Sequence, residues 1–205
     1  MIKRILKTAL ITALSFIGVL VIGAFSIFTF APSLSASVCH DLGMRKLASS
    51  CLERVYKNTG EIDDLIEVID SAVYAENKQT VAEYGKVLFY SFNDTANFKS
   101  ICAKGDEDIK EGEYSTYDYY ASTVFMALYE TGDKQGASEF AIKFMGDEYT
   151  EKCVLKMAVK IANPETDKAF GDMLVNSYKN DKTISKTNYK KFEEEMKAYG
   201  DAYKF

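Results

Sequence analysis

The sequence has one histidine, His40, and no tryptophan. A single imidazole excludes every site that needs two, the HExxH zinc centres among them. Proline occurs only at Pro32 and Pro164, so long stretches rich in Ala, Leu, Lys and Glu run without a breaker and favour helices. No charged residue lies between Lys7 and Asp41. After residue 41 there is no low-complexity segment and no linker, so that part reads as one domain.

The uncharged interval sets the expected topology. Residues 8–30 form a 23-residue run without a charge. A helix rises about 1.5 Å per residue, so a run of that length matches a hydrocarbon core about 30 Å thick. Lys3, Arg4 and Lys7 precede it, and a basic flank favours the cytoplasmic side. The pattern predicts a cytoplasmic tail over 1–7, a transmembrane anchor over 8–31 and an exported domain over 39–205. A cleaved signal peptide shares the basic start, and Ser33 and Ser35 fit its cleavage spacing. Its apolar core is typically about 7–15 residues, however, so the length favours an uncleaved anchor. Lipid attachment at Cys39 calls for a small residue just before it, and Val38 stands there.

The exported part carries 22 Lys and Arg against 30 Asp and Glu, a net of −8. An acidic domain is poorly suited to nucleic acid or an anionic surface, so no nucleic-acid partner is expected. Its apolar residues recur at helical spacing. Met44, Leu47, Ala48, Cys51, Leu52 and Val55 mark one stripe. Ile62, Leu65, Ile66, Ile69, Ala72 and Val73 mark the next, with Glu61, Asp63 and Asp64 at its start, where the helix dipole favours negative charge. Val81, Tyr84, Gly85, Leu88, Phe89 and Phe92 give a third. Asn93 and Asp94 can cap a short helix ending near Cys102. Residues 104–113 contain a single apolar residue and read as a solvated loop. Asp106 and Asp108 there have the first spacing of a calcium loop, but Glu111 and Tyr117 stand where glycine and glutamate are required. Helices then start at Ser115 and after Gly132, a further stripe runs from Cys153 to Ile161, and Asn163, Pro164 and Glu165 open another. The last shows Tyr189, Phe192, Met196, Tyr199 and Tyr203 on one side and Lys190, Lys191, Glu193, Glu194 and Glu195 on the other. That split suits a terminal helix closing an array towards solvent.

Two turns are alike. Residues 55–61, with Tyr56, Gly60 and Glu61, resemble residues 128–133, with Gly132 and Asp133, and the glycines are 72 residues apart, close to twice a repeat of about 34. With Ala72 and Ala137 in the following helices, these segments resemble the tetratricopeptide family over about 60 residues. The family's usual tryptophan-like position holds Ser49 and Ala121, and its first-helix glycine position holds Glu53 and Phe125. The resemblance implies stacked helical hairpins and a protein-binding role. The predicted fold is therefore all-α: one transmembrane helix followed by an array or bundle of about eight or nine short amphipathic helices.

Residues with chemical potential are few. Cys39, His40 and Asp41 are consecutive, and neighbouring side chains on a helix diverge, so they form no triad with one another. Cys39, Cys51, Cys102 and Cys153 are candidate disulfide partners in an exported domain. A single helix spanning Cys39 and Cys51 would hold them about 18 Å apart, too far for a bridge. The full pairings left are Cys39–Cys102 with Cys51–Cys153, and Cys39–Cys153 with Cys51–Cys102. Cys51, Cys102 and Cys153 also fall on apolar faces, where free cysteine serves as a small hydrophobe. Tyr114, Tyr117, Tyr119 and Tyr120 form the densest aromatic cluster. Tyr119 points away from the stripe of Tyr117, Tyr120, Ala121 and Val124. Exposed tyrosines are good recognition residues, which makes Tyr114, Tyr117 and Tyr119 the candidate partner-binding residues.

The expected function is a membrane-anchored extracytoplasmic interaction or scaffold module, without catalysis of its own, without cofactor or metal, and with a protein partner at or near the membrane. A carboxylate-dependent hydrolase of the cell envelope is one alternative, and needs two acids across a cleft, one with a raised pKa. A structural subunit is another, because Ala9 and Ala13 let the anchor approach other membrane helices closely.

Overall fold

The computed structural model describes Ser15, Ile17, Val19, Val21, Gly23, Ser26, Phe28 and residues 31–203, except 108, 111, 112, 147, 148 and 182–185. The predicted anchor, its small pair Ala9 and Ala13, and the basic tail therefore lie wholly or largely outside the described residues. Among the described residues no helix is long and apolar enough to cross a membrane. Every regular element among them is helical, as the stripes predict.

The chain divides into two compact units, Met1–Ala75 and Glu76–Phe205. The sequence carries no composition shift at that point. Glu76 opens the second unit in the left-handed region, at φ 54°.

In the first unit, α1 (Pro32–Asp41), α2 (Arg45–Thr59) and α3 (Ile62–Tyr74) pack in succession. Helix α1 is not visible as an apolar stripe, because its buried residues are Ser35, Ala36 and Cys39. Pro32 starts it at a position where a missing N–H costs nothing. It ends in a Schellman motif, with Met44 N–H bonded to the Cys39 carbonyl at 2.8 Å and Gly43 N–H to the His40 carbonyl at 2.9 Å. Helix α3 buries Ile62, Leu65, Ile69 and Ala72 of its predicted stripe together with Val68, and leaves Ile66 and Val73 half-buried.

The second unit holds α4 (Lys78–Val87), a π-helical turn (Leu88–Phe92), α5 (Ala96–Asp106), α6 (Thr116–Glu130), α7 (Lys134–Lys143), α8 (Val154–Ile161), α9 (Pro164–Asn180) and α10 (Lys186–Ala198). Helix α6 is central: α4, α5, α7 and α8 all pack on it, and α9 covers α7. Gly85 lets α4 come close, since a Cβ there would sit 2.2 Å from a Val124 methyl carbon. The turn between α6 and α7 is again a Schellman motif around Gly132, at φ 91°. Asp133 then caps α7 by accepting the Gly136 N–H at 3.0 Å.

Three local expectations are corrected. Thr95, not Asn93 or Asp94, caps α5. That helix runs on through Lys104, Gly105 and Asp106, so the first part of the expected loop is helical, and Asp106 accepts the Thr116 N–H at 2.7 Å. Cys153 precedes α8 rather than joining its stripe, and its sulfur accepts the Lys156 N–H at 3.4 Å. Asn163 caps α9 as its sequence predicts. The backbone kinks at Asp167, whose carboxylate caps the rest of the helix by accepting Phe170 N–H at 3.0 Å.

Aromatic side chains fill the second unit. Phe89 meets Phe140 at 5.0 Å, Phe98 at 5.7 Å and Tyr117 at 5.5 Å between ring centroids. Phe125, Tyr129 and Phe170 form a second group, and Tyr178, Tyr189 and Phe192 a third on α9 and α10.

Candidate functional site

The first aromatic group reaches the surface in a cleft of about 700 Å³ in the second unit. Three groups of residues build it: Asn93 and Asp94 with α5 as far as Asp106, the start of α6, and Lys143, Gly146 and Thr150. Phe98 and Tyr117 supply an apolar floor, and their rings lie 6.2 Å apart. Phe98 is buried, whereas Tyr117 is partly open and holds its hydroxyl 3.5 Å from the Phe144 carbonyl. Exposed Lys99 and Lys143 line the cleft beside Asp94 and Asp106.

The start of α6 fixes one end. Ser115 accepts the Asp118 N–H at 3.1 Å and donates its hydroxyl to the Asp118 carboxylate at 2.8 Å. Gly105 lets α5 abut this turn, because a Cβ there would lie 2.3 Å from the Thr116 hydroxyl oxygen. Partial burial pushes the Asp118 carboxyl above its usual range, the Ser115 hydrogen bond opposes that, and the Asp106 charge adds to it.

Two other groups in the cleft matter. Burial, with Asp106 nearby, pushes the Cys102 thiol up to about 11. It is therefore a thiol and not a thiolate at neutral pH, and a poor nucleophile. The Asn93 amide nitrogen donates to Asp94 at 3.2 Å, but its buried amide oxygen has no hydrogen-bond partner among the described residues. A buried acceptor in that state costs about 1–3 kcal/mol.

The structure distributes the sequence candidates widely. Tyr117 floors the cleft. Tyr119 is on α6 two residues on, 42% exposed, with its ring against Tyr120 at 5.2 Å. Tyr114 is 41% exposed, and the Lys152 ammonium lies 5.8 Å from its ring. Neither lines the cleft. All four cysteines are buried free thiols. Cys39 is buried while His40 and Asp41 are 69% and 79% exposed, the divergence expected of consecutive residues. Among the described residues, no three His, Cys, Asp or Glu side chains are grouped to hold a metal ion.

Sequence reasoning missed Asn93 and Asp118 as site residues. Asp118 had a signal, the spacing of Ser115 and Asp118, which is that of a capping box. Asn93 had none, because its importance comes from burial. No family model, curated protein or solved structure matches the chain.

Proposed function

We propose that the chain is a recognition module, anchored in a membrane through residues 8–31, whose exported part binds an extended segment of a protein partner. The observation that carries this reading is the cleft. It combines an aromatic floor with lysines, carboxylates and the Asn93 amide in one lining. An apolar side chain suits the floor of Phe98 and Tyr117, and Asn93 in the lining can turn its amide towards a partner's backbone. Tethering confines both partners near one surface and raises their effective concentration. Stacked hairpins of the tetratricopeptide kind are the architecture this reading assumes, and the hairpin of α6 and α7 supports it.

The test is site-specific photocrosslinking of the full-length chain in native membranes. A photoreactive residue at Lys99 should give one partner adduct, and the same residue at exposed Lys190 on α10 should not. Asn93→Leu should abolish the Lys99 adduct. Equal adducts from both positions, or an adduct indifferent to Asn93, would refute binding at this cleft. Probes at Tyr114 and Tyr119 then report whether the partner extends over the exposed tyrosines.

A second reading, hydrolysis of an envelope polysaccharide, has one observation in its favour. Asp118 is a desolvated acid in a cleft that also holds Asp106. Both carboxylates already accept hydrogen bonds at the start of α6, so their geometry serves the helix first. Asp118→Asn distinguishes the two readings, because it would abolish hydrolysis and leave a Lys99 adduct in place.

A further inference from the structure

One helix through both Cys39 and Cys51 would hold them far apart. The chain instead turns back between them, at Leu42, Gly43 and Met44. Cys39 lies in the last turn region of α1, its carbonyl pinned by the Met44 N–H. Cys51 lies in the second turn of α2, the helix that packs against α1. Both side chains are almost fully buried, at 1% and 2% exposure.

Helix geometry explains how they meet. Counted from the turn, Cys51 stands further along α2 than Cys39 stands along α1. Cα–Cβ bonds tilt towards a helix's N-terminus. Cys51 therefore leans back towards the turn and Cys39 leans away from it, which closes the offset. The neighbouring buried residues are small, Ser35 and Ala36 on α1 and Ala48 on α2, so the helices approach closely. Cys39 is near enough to Cys51 to help raise its thiol.

We propose that Cys39 and Cys51 are a built disulfide site, which an oxidant carrying a disulfide converts to a covalent staple across the α1–α2 hairpin. In the step, one thiolate attacks the oxidant's S–S bond and forms a mixed disulfide, releasing one thiol. The second cysteine thiolate then attacks the protein sulfur of that bond and releases the second thiol. The protein gives up two protons and two electrons, and one oxidant disulfide becomes two thiols. Burial, reinforced by Cys39, pushes the Cys51 thiol up, so the exchange is slow on the closed hairpin and fast while it forms. The two pairings left open by spacing would each join the first unit to the second. This pairing stays within the first unit, and leaves Cys102 and Cys153 as thiols in the second. Ala36 and His40 of α1 and Ala48 and Leu52 of α2 line a groove of about 480 Å³ in the first unit, so the staple fixes two of its walls. The supply of oxidant in the cell rests on the export reading, but the pairing itself does not.

The test is refolding of the full-length chain in a mixture of oxidised and reduced glutathione, followed by alkylation, trypsin digestion and mass spectrometry. Arg45 and Lys46 lie between the two cysteines, so trypsin separates them. The expected product is peptide 47–54 joined to the peptide carrying Cys39, about 2 Da lighter than the two reduced peptides together. Cys102 and Cys153 should be alkylated. The Cys102→Ser, Cys153→Ser double variant should keep the linkage, and Cys51→Ser should lose it. Alkylation of both Cys39 and Cys51 in the oxidised sample, or a link from either to Cys102 or Cys153, would overturn the proposal. Linkage in the refolded protein with free thiols in cells would uphold the site and count against export.

Discussion

Asp167 ties three helices together, and its contribution to stability can be worked out. Its carboxylate accepts the Lys134 ammonium at 2.6 Å, the Tyr129 hydroxyl at 2.8 Å and the Phe170 N–H at 3.0 Å. These partners come from α7, α6 and α9. The Lys134 hydrogen bond, helped by those of Phe170 and Tyr129 and opposed by burial, holds the carboxyl down at about 2, against an ordinary 3.8. That gap corresponds to roughly 2–2.5 kcal/mol at about 1.4 kcal/mol per pH unit. A depressed folded-state pKa means that the stabilisation is fully present above the unfolded pKa. It is lost as pH falls through the folded one, and about half is gone at pH 3. Asp167→Asn keeps the cap and the tyrosine bond but loses the charge, so it should cost about 2 kcal/mol at pH 7 and about half of that near pH 3. The comparator is Lys86 with Asp133, a pair of similar length, 2.9 Å, but with both side chains 43% exposed. Solvent screens that pair, and Lys86→Met should cost under about 1 kcal/mol. Asp167 is only 11% exposed. Urea unfolding of the full-length variants across pH 3–7 measures both. A cost for Asp167→Asn that is unchanged between pH 6 and pH 3, or no larger than that of Lys86→Met, would refute the reasoning.

Gly85→Ala should destabilise by about 1–3 kcal/mol in urea unfolding through overpacking of α4 on α6, and adding Val124→Ala should recover part of the loss. Gly171→Ala places a methyl about where the Tyr203 hydroxyl lies, 2.1 Å from the added carbon. It should release that tyrosine from the Ala162 carbonyl it bonds, seen as faster chymotryptic cleavage there, and Tyr203→Leu should remove the clash. Tyr117→Ala should cost about 3 kcal/mol by emptying part of the aromatic group, while Tyr119→Ala should stay within about 1 kcal/mol. At pH 7 the Cys102 thiol should react with a maleimide about 100-fold more slowly than a free cysteine, because burial raises it from 9.0 to about 11. A rate within tenfold of free cysteine would contradict that value.

The helices with large apolar faces are legible in the sequence. Tyr189, Phe192 and Met196 are buried as their spacing requires, and Ser115, Asn163 and Gly132 mark helix ends where the structure has them. Helix α1 is not legible, because its inward residues are serine, alanine and cysteine, which carry no hydropathy signal. The turn at Gly43 that separates Cys39 from Cys51 is hidden for the same reason: without a stripe before it, nothing marks a helix to be ended. Of the tyrosines at 114, 117 and 119, the first and last are exposed and Tyr117 alone lines the cleft. Composition along a chain shows that aromatics are dense, and only three-dimensional packing shows which neighbour covers each ring.

The cleft illustrates why folding and recognition are hard to separate in a small helical unit. Ser115 and Asp106 accept the Asp118 and Thr116 N–H groups at the start of α6, Asp118 accepts the Ser115 hydroxyl, and both carboxylates line the space a ligand would enter. Tyr117 belongs both to the core and to the floor. Removing any of these side chains perturbs the helix as well as the surface, so a lost interaction would not identify its cause. Asn93 and Lys99 differ. Lys99 is exposed on α5, and the Asn93 oxygen lacks a partner among the described residues, so neither group holds an element in place. A recognition surface built by helix caps has to be tested through the residues that do no capping. Asn93→Leu should leave unfolding unchanged or slightly raise stability, since it removes an unsatisfied acceptor, while ending adduct formation at Lys99.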